Sequence, residues 1–565
     1  MNLLKNQQEA ETIDSVYIDL EARLMQNIAR HLRDWEQPID TDRWLMQKLA
    51  EVGKLNKENI KIIAQMSGIS QTAAERMLNA MAEEAIQNTE PGFQYLARQR
   101  LIDGIVDAEK SKNIKRVMKK LQKQAKDSLN LTNTTMLHKA QEAFKTLVQN
   151  TAEEALKIMN NNTGAVITGA ESRQQALRKT IRQFNDNGIT GFVDKRGRNW
   201  TPEAYVNMAM RTTAGSVANE VQTARCEDMG VNLIQIDSHS GARPKCAKDQ
   251  GKIFSLDNTS GTTEDLNGRK IRYYPWNSSS YGEPDGILGI NCGHHKYPFI
   301  PGVNIQRYFP TEDMDANNRL YKQTQVQRAL ERDVRKQKRE CMLFDELGDS
   351  DAFEEASVRL KSKESQLKDY VKKHDHLHRR KDREQVVGFD KRVSAEAVGK
   401  AQKHYKEWSK SIGAEAGPKT LAGYYDMKYN DSKERRLYDG YVKAVNKGNI
   451  SPLVGYDKFK EVADDIEKKF VGIKTADGLE VKGYTSHFVD RVIGQQSSDS
   501  PPRKKVRNGV NYKDIEDALK NPKSIGPIVE KDNGNRSKLY FGKNAAVSYN
   551  PDTQELVQVQ PKRTK

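Results

Sequence analysis

Cysteine is scarce in this chain: four thiols, Cys226, Cys246, Cys292 and Cys341, among 565 residues. They are too few and too scattered for a disulfide framework, which points to synthesis in a reducing compartment. Long apolar runs are missing as well. None approaches the roughly 18 residues that a membrane span needs, so no membrane partner is expected. The opening residues, MNLLKNQQEAETIDSVY, lack a basic segment leading into an apolar core, so no secretory signal is expected within them. Internal repeats, long low-complexity segments and Cys-x-x-Cys pairs are absent too.

What is present is charge. Hydrophobic residues make up 36% and charged ones 30%, with a mean hydropathy of −0.83. That balance suits long helices with wide solvated faces. The length lies far beyond the roughly 250 to 300 residues at which single cores stop growing, so two or more domains are expected. A net charge of +16 favours polyanionic partners, RNA or DNA first.

Residues 1–190 read as helix almost throughout. Val16, Ile18, Leu20, Leu24, Ile28 and Leu32 recur near one stripe. Gly68 is a plausible helix stop, and the serine of SQTAAERMLNAMAEEAIQ (Ser70) a cap for the next helix. Such stripes must be buried on each other or on a partner. GFVDKRGRNWT then suggests a hairpin, TPEAYVNMAMRTTAGSVANEVQTARCEDMG a helix opened by Thr201-Pro202 and closed at Gly230, and VNLIQIDS a strand. Residues 236–302 are rich in Gly, Pro, Asn, Ser and Tyr, and charged helix returns to about residue 385. Near the C-terminus come a helix (YTSHFVDRVIG), a basic loop, a second helix (NYKDIEDALKNP) and strand-like runs GPIVE, SKLYFG, AAVSYN and LVQVQ. The expected fold class is mainly α with α+β parts. Its divisions are a helical region at 1–190, a compact α+β core at 191–310, a helical connector at 311–480 and a small antiparallel-sheet domain at 481–565.

Two polar clusters stand out. In DSHSGARPKCAKDQG and NCGHHKYPFIPG, the residues Cys246, Cys292, His239, His294, His295 and Asp249 could supply the three or four ligands of a tetrahedral zinc ion. Cys246, Cys292, His239 and His294 form the ligand set considered for a structural zinc. Two readings stand beside it: small buried thiols, and histidines bonded to backbone. In HDHLH, His374 and His378 would share a helix face at i and i+4, but Lys372, Lys373, Arg379 and Arg380 oppose a cation and favour a solvated basic helix end.

The series TPEAYVNMAMRTT, VNLIQIDSHSGARPKC, DQGKIF and GINCGHHKYPFIPG resembles the phage minor capsid protein 2 family, relatives of the Mu F-type head-morphogenesis proteins. The resemblance covers most of residues 1–450 and is most specific between Cys246 and Gly302. It implies a minor component of a tailed-phage head, made in the host cytoplasm, placed inside the head near the portal, with the portal and major capsid proteins as partners.

On the helix YTSHFVDRVIG, Phe488, Val489, Val492 and Ile493 form the side to be buried, while His487 and Arg491 project together one turn apart. A histidine can move a proton to or from a phosphodiester oxygen near neutral pH. An arginine can hold the phosphate and the charge that builds on it. Arg503, Lys504, Lys505 and Arg507 would draw the nucleic-acid backbone, and Arg536, Lys538 and Tyr540 are expected on a strand facing the same cleft. The plainer readings are a surface or core histidine and a generic basic patch. The helix–helix–strand order, with this histidine and with Arg and Tyr in a strand, resembles the barnase–EndoU–colicin–RelE superfamily of metal-independent ribonucleases over residues 480–561. That resemblance implies catalytic roles for His487, Arg491, Arg536 and Tyr540, no required cofactor, delivery into the host cytoplasm with the genome, and an immunity protein as partner. Where that family often carries Thr or Ser on its last strand, this chain has Gln558. The alternative is a module that binds packaged nucleic acid without cutting it.

Overall fold

A computed structural model describes residues 3–33, 41–100, 102, 104–161, 169–412, 418–430, 432–451, 453–494, 508–530 and 536–561. The chain divides into two compact units. One comprises residues 1–154, 173–352 and 363–389, the other residues 155–172, 353–362 and 390–565.

The first unit is built on long helices: α1 (Leu3–Leu32), α2 (Thr41–Ala50), α3 (Val52–Arg98), most of α4 (Lys112–Asn161) and of α5 (Gly169–Asn187), and α6 (Pro202–Asp228). α1 packs against α3, α6 and the later α8 (Met314–Leu347). It is enclosed on several sides, with Ile13, Tyr17, Leu20, Leu24, Met25, Ile28 and Leu32 all buried. Val16 and Ile18, expected on its stripe, are half-buried. The buried polar groups of α1 are paired: Asn27 with Asn59 at 3.0 Å, Tyr17 with Asn133 at 3.0 Å, and Glu21 with Arg339 at 2.5 Å. Gly68 does not stop a helix, and Ser70 caps none; α3 runs through both for 47 residues. An internal glycine costs only about 1 kcal/mol relative to alanine. The stripe Leu55, Ile63, Met66, Ala74, Met77 and Met81 continues across it, and each large apolar side chain buried returns ~1.5–3 kcal/mol.

β1 (Phe192–Val193) and β2 (Asn199–Trp200) form the expected hairpin, closed by Asp194, which accepts from the backbone N–H groups of Arg196 and Arg198. Thr201 caps α6 through the Ala204 N–H at 3.2 Å, and Gly230, at φ 65°, follows its end. A five-stranded sheet follows, in the order β5-β6-β4-β3-β7, from β3 (Leu233–Ile236), β4 (Ile253–Ser255), β5 (Gly261–Glu264), β6 (Lys270–Pro275) and β7 (Lys296–Phe299). Only β4 and β6 run parallel. The short helix α7 (Pro244–Ala247) lies between β3 and β4 in the chain. α8 ends at Gly348, which adopts the left-handed conformation at φ 71°, and α9 spans Ser350–Lys372. His374 and His378 therefore lie beyond the last turn of α9 and share no helix face. His374 instead donates from Nδ1 to the Tyr370 carbonyl at 2.9 Å.

The second unit contains α10 (Lys391–Ile412), α11 (Leu421–Asn430), α12 (Ser432–Asn446), α13 (Tyr456–Phe470), α14 (Ser486–Ile493) and α15 (Tyr512–Lys520). Its sheet, in the order β10-β11-β12-β13-β8, is made of β8 (Gly483–Tyr484), β10 (Val529–Glu530), β11 (Arg536–Phe541), β12 (Ala545–Asn550) and β13 (Glu555–Pro561), with β9 (Ser524–Ile525) also on β11. All of its pairings are antiparallel except β13 with β8. One apolar core joins Phe488 and Val489 of α14, Ile515 and Leu519 of α15, and Tyr540, Val547, Leu556 and Val559 of the sheet. That same core takes in Tyr438 and Tyr441 of α12 and Phe459 and Ile466 of α13, so it begins well before residue 481. No described helix is long and apolar enough to cross a membrane.

Candidate functional sites: a thiol–imidazole cluster and the α14 histidine

In the first unit, folding brings Cys246 of α7 next to Cys292, 46 residues away, just ahead of β7. The two Sγ atoms are 3.8 Å apart, both thiols are free, and Cys292 Sγ lies 3.3 Å from His294 Nδ1. These three form the compact group of metal-capable side chains found among the described residues. The Leu288 N–H donates to Cys292 Sγ at 3.2 Å, and the Cys246 thiol donates to the Gly286 carbonyl at 3.4 Å. The contact with Cys246 favours the charged form of Cys292 and disfavours that of Cys246.

The other residues of the expected ligand set lie around this core. The His239 ring stacks on the His294 ring at 4.3 Å between centroids, while its Nδ1 faces the Ser240 carbonyl at 3.1 Å. Burial pushes the His239 imidazole toward the neutral form. His295 and Asp249 have structural partners. His295 pairs with Asp237, and Asp249 accepts from the Ser280 N–H at 2.9 Å and its hydroxyl at 2.7 Å. Cys226 is a core residue whose thiol burial pushes up to about 12.

In the second unit, Thr485 sets α14. Its hydroxyl accepts from the Phe488 N–H at 3.2 Å and donates to the Val557 carbonyl of β13 at 3.0 Å. As the sequence implies, Phe488, Val489, Val492 and Ile493 are buried. The His487 side chain stays 39% exposed while that of Asp490 is 3% exposed, and Nδ1 of His487 lies 2.9 Å from Oδ2 of Asp490. On the other side of the ring, Arg491 Nε lies 3.3 Å from Nε2. A guanidinium can only donate, so Nε2 carries the lone pair, and Nδ1 carries the proton that Asp490 accepts. Asn449 donates to the same Asp490 oxygen at 3.0 Å and steadies it.

The strand residues expected at this cleft gather elsewhere. Tyr540 is fully buried, and its hydroxyl donates to Asp477 at 2.9 Å. Lys538 also pairs with Asp477, and Arg536 with Asp552. Burial opposes the charge on Asp477, but hydrogen bonds from Lys538, Thr475 and Tyr540 outweigh it and hold the carboxyl at about 2. Alternation along β11 does put Arg536, Lys538 and Tyr540 on one face, and Tyr540 there joins the core that α14 covers with Phe488 and Val489. Gln558 faces Ser548 in the β12–β13 register. Arg503, Lys504, Lys505 and Arg507 lie outside the described residues. Asp490 and Asn449 were not singled out from the sequence. Asp490 was within reach, three residues after His487 and so on its face of the helix. Asn449 is 41 residues from Asp490 and gives no local signal.

Comparisons with known proteins divide the chain in a similar place. The sequence model of the phage minor capsid protein 2 family matches residues 5–372, a span that includes the thiol–imidazole cluster and stops short of α10. A structural protein of Lactococcus phage LL-H is 31% identical over 231 residues, which is 40% of this chain and 60% of that protein. A structural protein of Lactococcus phage mv4 is 33% identical over 111 residues, which is 19% of this chain and 88% of that protein. The chain thus spans less than two thirds of the LL-H protein. No solved structure matches it.

Proposed function

The chain belongs to the phage minor capsid protein 2 family, and from that premise we propose a virion protein docked near the portal whose C-terminal unit cleaves RNA without a metal ion. The family, and relatives described as structural proteins, support a place in the virion. In this reading the chain contacts the portal and major capsid proteins inside the head. Its second unit enters the host cytoplasm with the genome, where an immunity protein would guard against it.

The observation that carries the ribonuclease reading is the Asp490–His487–Arg491 array. Asp490 fixes the tautomer that keeps the lone pair on Nε2, where Arg491 donates, on the half-exposed side of an anchored helix. The chemistry follows from RNA's own nucleophile. His487 Nε2 takes the proton of a ribose 2′-hydroxyl, and the 2′-oxygen attacks the adjacent phosphorus. The bond from phosphorus to the 5′-oxygen breaks, and that oxygen leaves with a proton from water. The products are a 2′,3′-cyclic phosphate and a 5′-hydroxyl end. Arg491 turns from the imidazole to the phosphate oxygens and balances the charge that builds there.

The test is incubation of the full chain with total cellular RNA in magnesium-free buffer with EDTA, beside His487→Ala. Cleavage by the native chain alone supports the proposal. Intact RNA in both, with folding verified by circular dichroism, overturns it. If RNA is then retained in a salt-dependent way that His487→Ala leaves unchanged, the non-cleaving binding module remains, in keeping with the net charge of +16.

A further inference from the structure

We infer that Cys246, Cys292 and His294 hold a zinc ion that clamps the 276–294 loop onto α7. The inference concerns the first unit and is independent of the ribonuclease reading. The distances are the first argument. Ligands on a tetrahedral zinc, with Zn–S about 2.3 Å and Zn–N about 2.0 Å, stand about 3.8 Å apart for two sulfurs and about 3.5 Å apart for sulfur and nitrogen. Here the two Sγ atoms are 3.8 Å apart, and Cys292 Sγ is 3.3 Å from His294 Nδ1. A disulfide would need the sulfurs at about 2.0 Å.

The second argument is what these groups lack. The His294 side chain is buried, at 2% exposure, with its Nδ1 turned to the two sulfurs. The polar contact of that nitrogen is with sulfur, a weak partner for an imidazole. An imidazole in so dry a place is costly to keep unless its interaction is stronger than a sulfur contact, and a shared cation supplies one. The N–H bond from Leu288 to Cys292 Sγ is the outer contact a metal-bound thiolate uses to spread its charge. On binding, the Cys246 proton leaves to solvent and its sulfur turns from the Gly286 carbonyl to the metal.

The third argument is placement. Cys246 sits on α7 and the other two ligands close the long loop that precedes β7, so one ion bridges segments far apart in sequence. The same joint is tied by Asp249 to Ser280, by Arg243 to the Ile290 carbonyl at 2.9 Å, and by Lys245 to Glu283 at 2.5 Å. A metal that joins such segments adds its binding free energy to the fold, and three protein ligands with water at the fourth vertex make an open zinc site.

The experiment uses the full chain, purified without chelator. Mass-spectrometric metal analysis is expected to find one zinc per chain, lost in Cys292→Ser. Replacement of zinc by cobalt(II) is expected to give visible tetrahedral bands with thiolate charge transfer in the near ultraviolet. Limited proteolysis after chelation is expected to cut within 276–294, and added zinc to restore protection. A chain that carries no zinc and shows no thiolate–cobalt band overturns the inference, and so does a Cys246–Cys292 disulfide in the purified protein. The cobalt spectrum is read on the native chain, so a Cys292→Ser variant that fails to fold does not cloud the result.

Discussion

Arg225 of α6 has no solvent-exposed surface, and its guanidinium donates to the Glu90 carboxylate of α3 across 2.6 Å. It also donates to the Val106 carbonyl at 2.8 Å and lies over the Phe93 ring at 5.6 Å. One side chain therefore ties α6 to the end of α3 and to the segment after it. Truncating a buried partner leaves the other charge uncompensated, so Arg225→Met is expected to destabilise the first unit by about 3 kcal/mol. Glu90→Gln should cost less, because the Glu90 side chain is 22% exposed and water can serve the residual dipole. Urea denaturation followed by circular dichroism measures both. Equal midpoints for Arg225→Met and the native chain would show that the pair contributes nothing.

A glycine sets how closely α12 approaches the α14 histidine. A Cβ placed on Gly440 would stand 2.1 Å from Ser486 Cβ and 2.5 Å from its hydroxyl. Ser486 directly precedes His487, so Gly440→Ala must push the first turn of α14 outward. Overpacking of this kind costs about 2 kcal/mol. The compensating change Ser486→Gly removes both atoms in conflict and should return most of the loss. A thermal melt of the single and double variants decides it, and an additive double variant would mean the clash is not the cause.

Asp477 gives the second unit an acid-sensitive link. Its carboxyl titrates near 2 when folded, against roughly 3.9 in an unfolded chain. A depressed carboxyl stabilises the fold in full above the unfolded value and ceases to do so as pH falls through the folded value. The contribution of Asp477 is therefore complete above about pH 4 and gone near about pH 2. Asp477→Asn should flatten the dependence of stability on pH in that window while leaving Lys538 and Tyr540 in place. Unfolding midpoints taken every half unit from pH 5 to 2 would show it, and parallel curves for the two chains would refute it.

Local chemistry made much of this fold legible in the sequence. The Thr201 cap, the Lys-Arg-Gly hairpin and the buried face of α14 each depend on residues within a turn or two, and each stands where expected. Gly68 misled because a glycine reports only its own backbone preference, while a stripe of apolar side chains on either side decided the matter. The sites were harder for the same reason. Cys246, Cys292 and His294 could be picked out as residue types, but only folding shows that their ligand atoms meet and that His239 stacks beside them. Strand alternation placed Arg536, Lys538 and Tyr540 on one face, yet it could not say that Asp552 and Asp477 would take up their polar groups. Tyr540 is a core residue, and its hydroxyl serves Asp477.

The carboxylate behind His487 provides the sharpest test of the ribonuclease reading. Asp490 is buried and accepts from both His487 and Asn449, so its role is to orient the imidazole and not to touch substrate. If Nε2 is the base, neutralising Asp490 removes the charge that favours Nδ1–H and lets the ring adopt the other tautomer or turn away. Asp490→Asn should therefore lower the rate of RNA cleavage by roughly 100-fold, the lower range of what a positioned general base contributes. RNA affinity should change less than about twofold, since the phosphate-holding Arg491 remains. The split between kcat and KM separates orientation from simple loss of structure: the loss should fall on kcat, with KM and the circular dichroism spectrum kept. Asn449→Ala, which leaves the charge in place but frees it to move, should reduce the rate by a smaller factor. An unchanged rate in Asp490→Asn would assign the base to another group, and Asp490 would then be only the buried anchor of α14.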